Sequence, residues 1–147
     1  MSDVIRKQVE LRAPLERVWQ AISDPAEFGS WFKVRLDGPF EPGIEQTGQM
    51  TYPGYEHMPW KARVVAVEPP HRLAFDWPHM DDQERVREDW PWTRVEFRLE
   101  AQGEGTLLTV TESGFDALPP ETRDNSYRQN EGGWEQQTGN IAAHVDG

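Results

Sequence analysis

The amino-acid sequence predicts an α+β fold in which a long C-terminal helix lies across one face of an antiparallel sheet. Three observations support this: a helical apolar pattern over residues 14–32, a period of two from residue 34 to 114, and a helical period from about residue 120. Helices and strands segregated along a chain in this way are typical of α+β domains. The 147 residues suit one hydrophobic core, so a single domain over 1–147 is expected.

The first element is predicted to be a strand at the edge of the sheet. In residues 4–12, Ile5, Val9 and Leu11 lie on one face of an alternating pattern. Lys7 interrupts that face, and a charged residue pointing inward is typical of an edge strand.

Two short helices are predicted directly after that strand. Pro14 suits a first helical turn, and the Ser-Asp-Pro sequence at 23–25 both ends this helix and caps the next one. The second helix carries Phe28, Trp31 and Phe32 at a spacing of i, i+3 and i+4. This spacing places the three rings on one buried face.

The middle of the chain is predicted to form roughly six strands, separated by Gly and Pro. Apolar residues alternate there with polar or charged ones, as in a half-buried antiparallel sheet. In segment 60–70 the inward pair is either Val64 with Ala66 or Val65 with Val67, and the pattern does not choose. Elsewhere the residues predicted to face inward are Leu73, Phe75, Trp77, Val95, Phe97, Leu99, Ala101, Leu108 and Val110.

The chain from about Pro120 is predicted to form one long helix, with Gly132 and Gly133 inside it. Glycine in a helix interior costs about 1 kcal/mol relative to alanine. We expect Gly133 to allow close backbone approach or to leave open volume, and Gly132 to mark a kink or a late helix start. Residues at helical spacing form the predicted buried face: Tyr127, Trp134, Thr138, Ile141 and Val145.

The composition excludes several classes of protein. The absence of cysteine excludes disulfides, zinc–thiolate sites and cysteine nucleophiles. A net charge of −11 disfavours nucleic-acid and anionic-membrane partners. The sequence begins without the apolar run of a signal peptide, and no window approaches the ~20 apolar residues of a membrane span. A cytoplasmic protein is therefore expected.

The sequence carries no catalytic or metal-binding motif. It lacks G-x-S-x-G, a phosphate-binding glycine loop and H-E-x-x-H. His57, His71, His79 and His144 do not pair at metal-ligand spacing, and His71 and His79 are expected to be surface residues. We therefore predict no catalytic residue, no metal ligand and no cofactor.

Several segments, taken in order, match those of one known family. They are residues 13–32 (APLERVWQAISDPAEFGSWF), 37–43 (DGPFEPG), 67–77 (VEPPHRLAFDW), 103–115 (GEGTLLTVTESGF), and Gly133–Trp134 followed by NIAAHV. The chain thereby resembles the START-like, or Bet v 1-like (SRPBCC), superfamily, and more narrowly the family named for the activator of heat-shock protein 90 ATPase. The resemblance extends from about Val4 to Val145. Members often carry His-x-x-Gly-Trp where this chain has Asn130 instead of the histidine.

The resemblance implies a helix-grip fold. In that fold a curved antiparallel β-sheet wraps around a long C-terminal helix, two short helices follow the first strand, and an internal cavity lies between sheet and helix. The superfamily includes lipid carriers, plant hormone and allergen proteins, polyketide cyclases and chaperone activators, so it defines the fold more narrowly than the function.

The function expected from the resemblance, the aromatic content and the missing catalytic motifs is binding of a small hydrophobic molecule, as a carrier or sensor of a lipid, aromatic or polyketide-like compound. Asn130 and Gln137 flank the buried stripe of the last helix, where they either point into the cavity or bond to water or loop backbone at its boundary. The candidate ligand-binding residues are Met50, Tyr52, Trp60, Phe75, Trp77, Phe97, Asn130, Trp134 and Gln137.

The acidic segment 76–92 is longer than a hairpin connection needs. It is expected to be a solvated loop, because the calcium-binding pattern of an EF-hand and its glycine are absent. A second hypothesis makes it a lid over the cavity mouth. Deletion of residues 80–87 tests this hypothesis, since unchanged ligand affinity would contradict it.

Two other functions are compatible with the sequence. An enzyme of the polyketide cyclase or dehydratase kind needs an acid or base in a dry cavity, for which Tyr52, Asp76 and Arg63 are the candidates. A protein-interaction role, as in the chaperone activators, needs a broad partner surface. A homodimer is compatible with the sequence, which does not decide the oligomeric state.

Overall fold

The structure, a computed structural model, describes residues 4–146. Its strands are β1 (Val4–Leu11), β2 (Val34–Leu36), β3 (Glu45–Met50), β4 (Pro59–Glu68), β5 (Arg72–Trp77), β6 (His79–Met80), β7 (Val86–Arg87), β8 (Thr93–Gln102) and β9 (Gly105–Ser113). Its helices are α1 (Leu15–Ser23), α2 (Pro25–Phe32) and α3 (Pro120–Asp146). A single 3₁₀ turn, Phe115–Ala117, joins β9 to α3. None of the helices in this part of the chain is long and apolar enough to cross a membrane.

Seven strands form one antiparallel sheet in the order β1-β9-β8-β5-β4-β3-β2. The helices cover one face of this sheet, which confirms the predicted α+β class. β1 is an edge strand, as predicted. Lys7 lies on the apolar face of β1, and its ammonium group pairs with the carboxylate of Glu135 on α3, at 2.9 Å.

The period of two along β8 and β9 reflects burial, with one exception. Val95, Phe97 and Leu99 are buried, whereas Ala101 is exposed. The prediction for Ala101 is therefore wrong: Ala101 lies next to the turn at Gly103, at the exposed end of β8.

A β-bulge in β4 explains why its inward residues could not be chosen from the sequence. The register with β5 shifts between Val64 and Ala66, which leaves Val65 without an opposite residue. Val64 is buried and Val67 also packs against the core, so the inward set contains one residue from each of the two predicted pairs. An extra residue reverses the alternation beyond it, and neither regular pattern is correct.

The boundary between the two short helices lies at the Ser-Asp-Pro sequence, as predicted, whereas Pro14 is the residue before α1 and not in its first turn. The Asp24 carboxylate accepts a hydrogen bond from the backbone N–H of Glu27 at 3.0 Å, with Pro25 in the first turn of α2. Phe28, Trp31 and Phe32 are all buried and contact one another. These rings fill the space between the sheet and the middle of the last helix, where Phe32 contacts Trp134.

The glycine pair in α3 does not mark a close approach to the sheet. The helix runs without interruption over 27 residues. Gly132 and Gly133 are exposed, and a Cβ atom added to either residue would have no neighbour within 4 Å. Of the alternatives considered, close approach at Gly133 and a late helix start at Gly132 are thus wrong, whereas open space at Gly133 is what the structure shows. Trp134, by contrast, is 3% exposed and lies beneath the helix as expected.

Candidate functional site

A cavity of about 470 Å³ opens between the sheet, the β6–β7 hairpin and the first half of α3. β3 and β4 provide its floor, and the hairpin covers one side. The segment 76–92, expected to be a loop, thus contains a small two-stranded sheet. The cavity is lined by Thr47, Gly48, Met50, Tyr55, Met58, Pro59, Trp60, Lys61, Trp77, Pro78, His79, Met80, Glu84, Val86, Glu88, Ser126, Gln129 and Asn130.

Four of the candidate ligand-binding residues lie together at this cavity: Met50, Trp60, Trp77 and Asn130. The Nε1–H group of Trp60 is buried, and it has no hydrogen-bond acceptor among residues 4–146. A buried donor ordinarily finds a partner in a folded protein. This unpaired indole N–H therefore distinguishes Trp60 from the other rings at the cavity.

The other candidate residues do not line the cavity. Phe75, Phe97 and Trp134 belong to the closed core, with 0%, 1% and 3% exposure. Tyr52 is exposed, and its hydroxyl accepts a hydrogen bond from Gln136 at 3.3 Å. Gln137 donates to the backbone carbonyl of Phe32 at 3.0 Å. Gln137 therefore takes the second of its two expected positions: it bonds to backbone at the boundary and does not point into the cavity.

Glu112 of β9 is a fully buried carboxylate at the inner end of the cavity, and sequence reasoning missed it. Its Oε1 accepts hydrogen bonds from Trp134 Nε1 at 2.8 Å and Asn130 Nδ2 at 2.9 Å. Its Oε2 accepts from Trp77 Nε1 at 2.8 Å and from Thr93 Oγ1 at 2.5 Å. Two tryptophans, a threonine and an asparagine from three different elements therefore converge on one carboxylate.

These donors keep Glu112 ionised. Burial alone raises the pKa of the Glu112 carboxyl. Its polar neighbours have a larger, opposite effect: hydrogen bonds from His79 and Thr93, the nearby His79 ring and the Trp77 N–H all lower this pKa. The net pKa lies below the ordinary value of 4.5. Glu112 is accordingly a negative charge at neutral pH, in a site closed to water.

His79 connects this carboxylate to the cavity. The residue is 6% exposed, which contradicts its expected surface position. Its Nε2 lies 2.6 Å from Thr93 Oγ1 and 3.3 Å from Glu112 Oε2. The ring also packs edge-on against Phe115, with centroids 5.5 Å apart. His79 was misassigned because its burial depends on β9 and on the turn at Phe115, neither of which is near it in sequence.

A local signal for Glu112 does exist in the sequence. Thr106, Leu108, Val110 and Glu112 follow the same alternating phase of β9, and all four are buried. A carboxylate in the inward phase of a strand requires buried partners. The pattern that identified Leu108 and Val110 could therefore have indicated Glu112, although not the identity of its donors.

The residues considered for catalysis lie away from the cavity. Asp76 pairs with Arg94 at 2.8 Å, and the Arg63 guanidinium stacks over the Trp92 ring at 4.2 Å. Tyr52 is the exposed residue described above. Within residues 4–146, no three His, Asp or Glu side chains are grouped closely enough to hold a metal ion.

The sheet, the two short helices after β1 and the long last helix define a helix-grip protein of the START-like (SRPBCC) class. Comparison with known protein families identifies the family within this class. Residues 12–146 match the family described as "Activator of Hsp90 ATPase homolog 1-like protein", and the chain belongs to this family. The resemblance inferred from the sequence is thereby confirmed. No curated protein sequence matches the chain significantly.

Solved structures share the fold. DynU16, described as a protein in the dynemicin biosynthetic locus, is 26% identical with a TM-score of 0.77 over 99% of this chain. The chain spans about half of DynU16, covering 48% of its length. MLL2253 from Mesorhizobium loti is 22% identical with a TM-score of 0.77, over 97% of this chain and 96% of its own. CalU16 from Micromonospora echinospora is 24% identical with a TM-score of 0.65, over 97% and 74% respectively.

Proposed function

We propose that this protein binds a small, mainly apolar aromatic molecule in the cavity between the sheet, the hairpin and α3. The observation that carries the proposal is the cavity itself, about 470 Å³ in volume and bordered by Trp60, Trp77, Tyr55 and methionine side chains. Ligand sites in proteins typically measure ~300–1,000 Å³ and combine apolar walls with a few polar groups.

The unpaired Trp60 N–H indicates the polar feature of the molecule. A ligand carbonyl oxygen would satisfy this donor, which the described part of the protein leaves without an acceptor. The Nε1 atom is covered by its neighbours, so side chains around Trp60 must move to admit that oxygen. An aromatic ketone meets both requirements, because its rings match the aromatic side chains and its carbonyl accepts a hydrogen bond. A fatty acid matches the aromatic side chains less well, because its acyl chain is not flat.

The similarity to DynU16 agrees with this proposal, because a biosynthetic locus produces a small molecule. The position of the hairpin also supports the lid hypothesis, since Met80, Glu84 and Val86 border the cavity. The deletion of residues 80–87 described above tests that part of the proposal.

The test measures tryptophan fluorescence and thermal unfolding with benzophenone, flavone and oleate. We expect the two aromatic ketones to quench Trp60 and Trp77 and to raise the melting temperature, whereas oleate does so weakly. Ligand at 100 times its Kd stabilises the folded state by about 2.7 kcal/mol. If neither ketone quenches or stabilises the protein, the proposal is wrong, and if oleate alone does so, the ligand class is wrong.

Two matched variants locate the binding. Met50→Trp adds an indole ring inside the cavity and should weaken benzophenone binding at least tenfold. Ile44→Trp adds the same ring at a position that is 40% exposed and outside the cavity, and should leave binding unchanged. Equal binding by both variants would place the ligand elsewhere on the protein.

A further inference from the structure

We propose that His79 accepts a hydrogen bond from a phenolic or enolic hydroxyl group of the molecule bound in the cavity. The inference rests on the proposed function and makes the ligand class narrower. It begins from the position of His79, which borders the cavity and is linked through Thr93 to the buried Glu112.

The hydrogen bonds of Thr93 determine which ring nitrogen of His79 carries the proton. Thr93 Oγ1 lies 2.5 Å from Glu112 Oε2 and 2.6 Å from His79 Nε2. An ionised carboxylate only accepts hydrogen bonds, so the single hydroxyl proton of Thr93 goes to Glu112. The Thr93 oxygen must then accept from His79, so Nε2 of the imidazole carries a proton.

The acceptor role falls to the other ring nitrogen, Nδ1. Among residues 4–146, His79 Nδ1 has no hydrogen-bond partner, whereas the Nε1 groups of Trp77 and Trp134 and the amide of Asn130 are all engaged by Glu112. The ring cannot turn to exchange its nitrogens without losing the bond to Thr93, and it packs against Phe115. The imidazole is therefore held in one orientation at the cavity.

The charges around this acceptor favour a neutral hydroxyl over an anion. Glu112 Oε2 lies 3.3 Å from His79 Nε2, and Glu84 and Glu88 border the cavity. Lys61 is the cationic side chain there, and its ammonium is shared between Glu45 and Glu88, at 2.9 Å from each. A carboxylate ligand would add another negative charge to this group, whereas a phenol or enol donates a hydrogen bond to Nδ1 and stays neutral.

A matched set of benzophenones tests the proposal. The probes are 3-hydroxybenzophenone, 3-methoxybenzophenone and 3-benzoylbenzoate, which share a skeleton and differ only at the group that would meet His79. A hydrogen bond contributes about 1 kcal/mol, so we expect the wild type to bind the hydroxyl probe several-fold to about tenfold more tightly than the methyl ether. The benzoate should bind more weakly than the hydroxyl probe.

The variant His79→Phe removes the acceptor and keeps a ring of similar size. It should bind the hydroxyl probe and the methyl ether within about twofold of each other, while its affinity for the ether stays near the wild-type value. His71→Phe is the matched control, because His71 is exposed and bonds the carbonyl of Leu99 away from the cavity. This control should keep the full preference for the hydroxyl probe.

A second measurement does not depend on the variant being well folded. Long-range ¹H–¹⁵N spectra of the wild-type protein report the protonation of each histidine ring. We expect His79 to carry its proton on Nε2 in the free protein, and its Nδ1 signal to move on adding 3-hydroxybenzophenone but not on adding the methyl ether. A proton on Nδ1 in the free protein would overturn the proposal.

The remaining outcomes separate this inference from the proposed function. Equal wild-type affinity for the hydroxyl probe and the methyl ether overturns the role of His79 and leaves ligand binding intact. Tightest binding by the benzoate also overturns it, in favour of an anion site. If none of the three probes binds, both the inference and the proposed function are overturned.

Discussion

Replacing Glu112 with glutamine tests whether the buried carboxylate organises the inner end of the cavity. The substitution keeps the shape of the side chain but replaces one acceptor oxygen by an NH₂ donor. If that NH₂ takes the Oε1 position, it faces the indole N–H of Trp134, and if it takes the Oε2 position, it faces the indole N–H of Trp77. Thr93 can turn its hydroxyl and Asn130 can flip its amide, but an indole nitrogen is a donor only.

The expected cost follows from this count of donors. Either orientation leaves at least one buried indole N–H unpaired, at about 1–3 kcal/mol, and the remaining bonds to Glu112 lose the strength that a charged acceptor gives them. Removing a buried charge offsets part of this cost. We therefore expect Glu112→Gln to lower the free energy of unfolding by roughly 2–4 kcal/mol, which for a chain of this size lowers the melting temperature by about 5–15 °C.

The assay is urea unfolding at neutral pH, followed by tryptophan fluorescence and by circular dichroism. Glu100→Gln is the control, because Glu100 is exposed on β8 and its replacement should change stability by less than about 0.5 kcal/mol. A Glu112→Gln protein as stable as this control would refute the reasoning, since the carboxylate would then contribute no more than an amide.

Two further predictions concern acid stability and the helix glycines. Because the folded-state pKa of Glu112 lies below 4.5, its contribution to stability is complete above that pH and is lost as the pH falls through the folded-state pKa. In an acid titration of unfolding free energy, Glu112→Gln should therefore fall less steeply below pH 4.5 than the wild type, and parallel curves would contradict the assigned pKa shift. Gly133→Ala should raise the free energy of unfolding by about 0.5–1 kcal/mol, because its Cβ meets open space in a helix. Gly29→Ala should lower it, because its Cβ would overlap the carbonyl oxygen of Val34, and a destabilised Gly133→Ala would show that the helix needs this glycine.

Much of the fold could be predicted because the relevant patterns are local. The alternation along β8 and β9, the capping of α2 by Asp24, and the Phe28, Trp31 and Phe32 cluster each depend on residues a few positions apart. The bulge in β4 could not be predicted, because an extra residue is defined only by the strand that pairs with it. The glycine pair was misread for a related reason, since a missing side chain indicates neither contact nor open space until the neighbouring surface is known.

The candidate site was predicted only in part. The aromatic residues Trp60 and Trp77 could be proposed from inward positions on strands, and Asn130 from its place beside the buried stripe of α3. The same reasoning also proposed Phe75 and Phe97, which fill the core. Whether an inward ring on a strand borders a cavity or packs in the core depends on the side chains of the elements opposite it. The local sequence around the ring does not indicate which of the two occurs.

The sequence by itself therefore determined the class of fold, the order of its elements and the family, because burial periodicity and helix capping are short-range properties of the chain. The tertiary structure alone decided the site. Glu112 from β9 meets Trp77 from β5, Thr93 from β8 and Trp134 from α3, and His79 joins them from the hairpin. A buried charge is stable only where several donors converge on it, and such convergence is a property of packing between distant segments.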